Sequence, residues 1–136
     1  MLFEPPRVVD LKSAGPTDHS TPLALVESYN RSLRGSASDE QVLGFWNPDE
    51  RRDIQKMMGD PEMQKRNRAF YASLDTMKVM AVLDFANEST VVVSYRGPAA
   101  IGVNAGKWFL TNKPAHDLTI AIAEAAFMDG IVKGGP

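Results

Sequence analysis

TMKVMAVLDF, at residues 76–85, and TVVVSYR, at residues 90–96, are rich in β-branched side chains and alternate in polarity. Such alternation is typical of β-strands, and the four residues between them form a short polar turn. The two segments therefore predict a β-hairpin. The alternation in the first strand predicts five apolar side chains on one face: Met77, Val79, Ala81, Leu83 and Phe85.

The segments downstream of this hairpin are less uniform. Residues 97–106 are rich in Gly, Pro and Ala and are expected to form a loop, whereas residues 107–111, KWFLT, predict a third strand. Residues 118–128 allow two interpretations. Their first five residues could be a strand, but the alanines favour a helix that Asp117 would cap. The C-terminal stretch is therefore helix or strand, with helix preferred.

Four helical segments are predicted upstream of the hairpin, each with a capping side chain at its start. Thr21, Asn47 and Asp60 each precede a proline, which suits the first helical position because its missing N–H has no partner there. Ser38 and Gln41 have the spacing of a capping box, in which each side chain binds the other's backbone N–H.

The order of helices before strands predicts an α+β fold, with N-terminal helices packed on a curved antiparallel sheet. Residues 1–20 contain three prolines and a glycine and are interpreted as a flexible or docking arm. Residues 21–136 are then a single α+β domain, since a chain of 136 residues is of ordinary one-domain length.

Packing of this domain is predicted from its large apolar side chains. Trp46, Phe70 and Trp108 are expected to share one core, because each lies on the apolar face of a different element. Both faces of residues 76–85 are largely apolar, although one face of an antiparallel sheet is usually wet. A homodimer formed through the sheet is therefore predicted.

Composition excludes several classes of function. The net charge is −2, with 15 basic and 17 acidic residues, so nucleic acid is not an expected partner. Cysteine is absent, which excludes disulfides, thiol nucleophiles and cysteine-bound zinc. No metal-ligand spacing or cofactor motif is present, and no apolar run has the length of a membrane span. The compartment stays open between the cytoplasm and export after removal of a leader.

Candidates for chemistry are few. Asp84, Tyr95 and His116 are weak candidates for acid–base catalysis, because a base needs a partner that orients it. Asp84 and Arg96 are expected on the less apolar face of the hairpin, where they form either a buried pair that tunes a pKa or a solvated ion pair. His19 lies in the polar arm and is expected to be solvated.

Aromatic side chains suggest a ligand pocket, with ordinary core packing as the alternative. Tyr29 and Tyr95 each carry a hydroxyl group that must find a partner if it is buried. The predicted pocket residues are Tyr29, Trp46, Phe70, Tyr95, Arg96 and Trp108. A small apolar ligand is the expected occupant, without a cofactor or metal.

Residues 23–112 resemble the NTF2-like superfamily, also called SnoaL or ketosteroid isomerase-like. The resemblance rests on ALVESY at residues 24–29, FWNPD at residues 45–49, the Phe70-Tyr71 helix end and the late Trp-containing strand KWFLT. It implies a cystatin-like cone, with a bent sheet around helices and an apolar cavity at the open end. Some members are isomerases, dehydratases or cyclases, and many are non-catalytic binding or dimerisation modules.

Two departures from this family bear on function. Isomerase-like members carry acidic residues on a strand after the Pro-Asp segment, whereas residues 49–54 here predict a helix. The family usually ends in a strand, whereas a helix is preferred here. The leading hypothesis is therefore a small non-catalytic binding or dimerisation module with an apolar cavity. The alternatives are an isomerase- or dehydratase-like enzyme using Asp84 with Tyr95 or His116, and an accessory domain that docks to a protein partner.

Overall fold

The computed structural model describes residues 2–13, 17–35, 37–85, 87–93 and 97–114, and these form an α+β fold. One antiparallel sheet runs in the order β1-β2-β3-β4-β5 and is not closed. Its strands are β1 (Leu2–Asp10), β2 (Thr76–Phe85), β3 (Glu88–Val93), β4 (Gly97–Asn104) and β5 (Lys107–Leu110). The helices lie between β1 and β2 in sequence: α1 (Pro22–Arg34), α2 (Asp39–Leu43), α3 (Arg51–Met57) and α4 (Pro61–Ala72), with a 3₁₀ turn at Pro48–Glu50.

The predicted helix starts at Thr21, Ser38 and Asp60 are confirmed, whereas Asn47 caps the 3₁₀ turn Pro48–Glu50 and α3 itself begins at Arg51. The Thr21 hydroxyl accepts from the backbone N–H of Ala24, and the Ser38–Gln41 capping box makes both of its hydrogen bonds. The Asn47 and Asp60 side chains accept from backbone N–H groups two residues further on, and Asp60 also accepts from the residue after that. These local bonds satisfy donors that have no partner within the helix.

The second helix ends at Leu43, although the sequence extends its apolar pattern to Phe45 and Trp46. The chain there runs parallel to the end of β5 instead. The Leu110 N–H donates to the Phe45 carbonyl at 2.8 Å, and the Asn47 N–H donates to the Leu110 carbonyl at 2.9 Å. Pairing with the sheet thus replaces the last helical turn and covers one edge of β5.

The central hairpin forms as predicted, but the expected single apolar face of β2 is wrong. The register shifts between Val79 and Ala81, which marks a bulge. Before the bulge, Met77 and Val79 lie in the core beneath the helices, whereas Ala81 pairs with Val92 in a separate cluster on the opposite face. An extra residue in one strand reverses the facing of every residue after it.

Residues 97–106 do not form the predicted loop. Most of them belong to β4, whose residues 97–102 pair with the whole of β3 from Glu88↔Gly102 to Val93↔Gly97. Many residues of β4 are small, but their facing alternates as in any strand, so that Ala99 and Ile101 enter the core. A two-residue turn then leads into β5, with φ of 50° at Ala105 and 78° at Gly106, as a hairpin turn of this kind requires.

Part of the N-terminal arm belongs to the sheet. Residues 2–10 form the edge strand β1, which pairs with β2. Val9 is buried in the core, and the Arg7 guanidinium lies 3.2 Å from the Glu27 carboxylate of α1. These contacts dock the strand on the body of the protein.

The expected three-aromatic core is wrong for Phe70. Trp46 and Trp108 pack, partly buried, against the main core, but Phe70 is 43% exposed and α4 contains no buried residue. The reason is the rotation of α4. Its next residue, Tyr71, packs on the core, and adjacent helical residues point about 100° apart. The Phe70 ring lies edge-on to Tyr71, with centroids 5.5 Å apart.

The face of the sheet opposite the helices is also covered in part. Ala81, Thr90 and Val92 lie there and are all buried in the single chain. The prediction of a homodimer assumed that this face is open, and at these positions it is not. The homodimer therefore stays a prediction, and residues 118–128 lie outside the described part of the chain.

Candidate functional site

A cavity of about 240 Å³ opens in the helical layer, between α1, α2, α3 and α4. We call it the helical groove. Its inner walls come from buried or half-buried side chains of all four helices and of the segment after α2. These wall residues are Tyr29, Leu33, Val42, Trp46, Ile54 and Tyr71.

The aromatic part of the wall is held by ring contacts. Tyr29 lies on the inner face of α1, where its ring meets Phe45 edge-on at 5.3 Å and Trp46 at 6.5 Å. The segment that carries Trp46 is fixed by Arg51, whose guanidinium donates to the carbonyls of Leu43, Gly44 and Trp46 at 3.0–3.3 Å. A cation at carbonyls left open by the end of a helix is electrostatically favourable. The wall is therefore preorganised.

Three methionines form the mouth of the groove, at the junction of α3 and α4. Met58 is half-buried, whereas Met57 is 61% exposed and Met63 is 53% exposed. Methionine side chains are unbranched and polarisable, so they adapt to guests of different shape. The mouth can therefore change its shape more easily than the aromatic wall.

Polar side chains line the α4 side of the groove. Gln64 donates to the Met58 carbonyl at 3.0 Å, and Asn67 is exposed. Arg68 donates to the Ala37 carbonyl and, at 3.0 Å, to the Asp39 carboxylate. No carboxylate lines the groove among the described residues. The groove thus offers an apolar wall and polar donors, without the acidic partner that an acid–base site needs.

The predicted pocket residues divide into three groups. Tyr29 and Trp46 line the groove, but Phe70 and Trp108 do not. Tyr95 and Arg96 lie outside the described residues. Sequence analysis missed the methionines as a cluster, although Met57-Met58 ends one helix and Met63 begins the next. Two apolar helix ends that flank one tight turn must lie close together, and that signal could have located the mouth.

Asp84 is the one catalytic candidate among the described residues, and it does not line the groove. Asp84 is exposed on β2, where its carboxylate accepts from the Ser89 hydroxyl at 2.7 Å. Tyr95 and His116 lie outside the described residues. The enzyme hypothesis therefore gains no support from the part of the chain that is described.

His19 is half-buried and hydrogen-bonded rather than fully solvated as expected. Its ring Nδ1 lies 2.6 Å from the Trp108 carbonyl oxygen, which makes Nδ1 the protonated donor. The Trp108 N–H donates in return to the His19 carbonyl at 3.1 Å, and the imidazole packs 4.6 Å from the Phe109 ring. His19 thus anchors the segment before α1 to strand β5.

Glu50 is a buried acid that sequence analysis did not single out. It is 7% exposed, and its carboxylate accepts from the Thr111 hydroxyl at 2.6 Å and from the Asn112 N–H at 2.8 Å. These two bonds join the start of α3 to the chain after β5. Both hydrogen-bond donors belong to the protein itself, so the geometry assigns Glu50 a structural role.

Shifted pKa values occur in exposed turns and ion pairs away from the groove. The hydrogen bond from the Lys113 ammonium, at 3.0 Å, lowers the pKa of Asp53, and the same bond raises the pKa of Lys113. A hydrogen bond from the Lys12 N–H lowers the pKa of Asp10. The Ser20 hydroxyl and N–H lower the pKa of Asp18. These shifts indicate local turn and surface bonding.

Two further properties bear on the class of protein. Within residues 2–114, where they are described, no cluster of three or more His, Cys, Asp or Glu side chains could hold a metal ion. No helix in this part of the chain has both the length and the apolarity needed to cross a bilayer.

Comparisons with protein-family models, with curated proteins and with solved structures found no match to this chain.

Proposed function

We propose that this protein is a small, non-catalytic binding module and that its binding site is the helical groove. The observation that carries the proposal is the groove itself: an apolar cavity of about 240 Å³, with aromatic walls and a methionine mouth. A concave apolar pocket with a few polar groups is the usual form of a ligand site. Binding would be favourable because it removes the apolar surface of the guest and that of the mouth from water.

The absence of carboxylates from the described lining supports binding rather than catalysis. The polar groups at the groove, such as the Gln64 and Asn67 amides, can orient a guest but do not act as general acids or bases near neutral pH. An NTF2-like cone remains part of the proposal. The α+β class and the antiparallel sheet agree with it, although many folds share those features.

Titration with 1-octanol, followed by amide chemical shifts, tests the proposal. Octanol is expected to shift amides around Met58, Met63 and Tyr71, because its chain fits an apolar cavity and its hydroxyl can meet the polar side. The Met58→Trp variant is expected to weaken octanol binding by about tenfold or more, because the indole fills the cavity.

The matched control is Met80→Trp, since Met80 is also half-buried but packs with the cluster on the other side of the sheet. It should leave octanol binding at the groove unchanged. Shifts that centre on the sheet, or a Met58→Trp variant that binds as well as the parent chain, would overturn the proposal.

A further inference from the structure

Aromatic rings set the chemistry of the inner wall of the groove. Three of them line the cavity from separate segments: Tyr29 of α1, Trp46 after α2 and Tyr71 of α4. The rings of Tyr29 and Trp46 are nearly perpendicular, with an interplanar angle of 89° and centroids 6.5 Å apart. Aromatic pairs gain more than their buried area alone provides. The wall therefore favours a guest that carries a ring over a saturated guest of equal size.

The methionines of the mouth add to this preference. Met57, Met58 and Met63 line the same cavity. A thioether sulfur makes favourable contacts with an aromatic ring at about 5 Å, often at the ring edge. From the same side chains a saturated guest gains only the burial of apolar surface. The mouth and the wall thus select the same class of guest.

The volume of the cavity limits the size of the guest. The cavity measures about 240 Å³. An engineered apolar cavity of about 150 Å³ in another protein holds benzene, which has about six non-hydrogen atoms to place. In proportion, the groove holds a guest of about ten non-hydrogen atoms. Such a guest is one aromatic ring with a short side chain, or two fused rings.

Hydrogen-bonding groups for a guest lie together on α4. Gln64 and Asn67 both line the groove, and their spacing of three residues places them on one face of the helix. The Gln64 amide donates to the Met58 carbonyl, and its oxygen accepts no hydrogen bond among the described residues. Asn67 is exposed, and its amide makes no hydrogen bond within the described part of the chain. The two amides can therefore bind one polar group of a guest as acceptor and donor.

The charge around the groove is already balanced. Arg68 is the one Lys, Arg, Asp or Glu in the described lining, and its guanidinium is 3.0 Å from the Asp39 carboxylate and also donates to the Ala37 carbonyl. Residues 22–72, which include all four helices, contain eight basic and eight acidic residues. A charged guest would lose hydration at the groove without meeting a countercharge that is not yet in use. An uncharged guest avoids that cost.

We propose that the ligand of the helical groove is an uncharged aromatic molecule of about ten non-hydrogen atoms with one hydrogen-bonding head group, a hydroxyl or an amide. This inference rests on the proposed function, since it names the ligand class of the same groove. The ring lies against the aromatic wall and the methionines of the mouth. The head group lies at the α4 side, where it meets the amides of Gln64 and Asn67.

Four small molecules test this inference on the full chain, with amide chemical shifts reporting each Kd. The probe of the proposed class is 3-phenyl-1-propanol. In 3-cyclohexyl-1-propanol the ring is saturated, whereas 3-phenylpropylammonium and 3-phenylpropionate keep the ring and carry a charge in place of the hydroxyl. We expect the phenyl alcohol to bind about threefold or more tighter than the cyclohexyl alcohol, although the saturated ring is the more apolar. It should bind about fivefold or more tighter than either ion.

A pair of variants locates the ring contact. Tyr71→Leu should reduce the preference for the phenyl alcohol over the cyclohexyl alcohol to less than about twofold, because it removes an aromatic wall residue. Phe70→Leu makes the same change on the adjacent residue, which does not line the groove, and should leave the preference intact. The readout is a ratio of two affinities within one variant, so a loss of stability does not imitate it.

A second pair of variants locates the head group. Asn67→Ala should weaken binding of the phenyl alcohol by about threefold or more, because it removes a hydrogen-bond partner. Gln55→Ala removes an exposed amide of α3 that does not line the groove and should leave binding unchanged.

Several outcomes would overturn the inference and leave the proposed function in place. Equal or tighter binding of the cyclohexyl alcohol would show that the groove selects apolar volume rather than rings. Equal or tighter binding of either ion would show that the groove does not exclude charge. A dimer that dissociates on Met57→Ser/Met63→Ser would make a second copy of the chain the occupant. If octanol and both ring alcohols fail to bind, the proposed function itself is wrong.

Discussion

The Phe45→Ala variant is expected to lose about 3–5 kcal/mol of unfolding free energy, the range for truncating a buried phenylalanine. Phe45 is 1% exposed and lies where three elements meet. Its ring contacts Tyr29 edge-on, its carbonyl accepts from Leu110, and His19 lies 6.1 Å away. Removing the ring leaves a cavity that these constrained neighbours cannot fill. Urea denaturation, with the midpoint and slope both recorded, measures the loss.

Phe70→Ala is the matched control, because it makes the same chemical change on a residue that is 43% exposed. Its effect is expected to stay within about 1 kcal/mol, as for most surface substitutions. Equal losses for the two variants would show that the rotation assigned to α4 is wrong.

The Glu50→Gln variant is expected to lose about 1.5–3 kcal/mol, the value of a hydrogen bond to a charged group. The carboxylate accepts from both Thr111 and Asn112, whereas an amide offers one oxygen and one N–H. The amide can keep both contacts only with its oxygen at the Asn112 N–H and its NH2 group at the Thr111 hydroxyl, and both bonds then lose the charge that strengthens them. Thermal and urea unfolding of the full chain measure this loss.

Asp49→Asn provides the comparison for Glu50→Gln. Asp49 is the neighbouring acid, but it is exposed, and its carboxylate accepts from the Asn104 amide at 3.2 Å. Its replacement should change stability by less than about 0.5 kcal/mol. Thr111→Val should reproduce part of the Glu50→Gln loss, since it removes one of the two donors. If Asp49→Asn costs as much as Glu50→Gln, the buried bonds of Glu50 are not the cause.

The features that sequence analysis predicted correctly are local. A cap depends on a side chain and a backbone N–H two or three residues away, so Thr21, Ser38, Asn47 and Asp60 indicate helix starts without knowledge of the fold. The central hairpin is local in the same sense. Its two strands are joined by a short turn, and their alternation is visible in the sequence.

The errors arise where a distant segment decides the structure. The bulge between Val79 and Ala81 changes the facing of the rest of β2, and alternation alone does not show where an extra residue enters. Strand β4 is stabilised by β3 and β5 on its two sides, so Gly and Pro content alone gave the wrong prediction there.

The groove shows the same dependence on tertiary packing. Tyr29 and Trp46 both line the cavity, and each lies on the apolar side of its segment. The rotation of α4 was not predictable from periodicity, because Phe70 and Tyr71 are adjacent and both aromatic. Tyr71 faces the groove because α4 packs against α1. That packing is a tertiary contact, which the sequence of α4 alone does not specify.

The position of β1 has a consequence for the order in which the chain assembles. Residues 2–10 pair with β2, so Leu2 lies opposite Ala81 and the two are separated by the whole helical region. During synthesis the first strand emerges long before its partner, and the short helices emerge before any sheet exists to receive them. Contacts that close so long a loop form late, whereas the β2–β5 hairpins close short loops and form early.

In refolding followed by pulsed hydrogen exchange, amides of β3 and β4 should therefore be protected before those of β1, and simultaneous protection would show that β1 belongs to the folding nucleus.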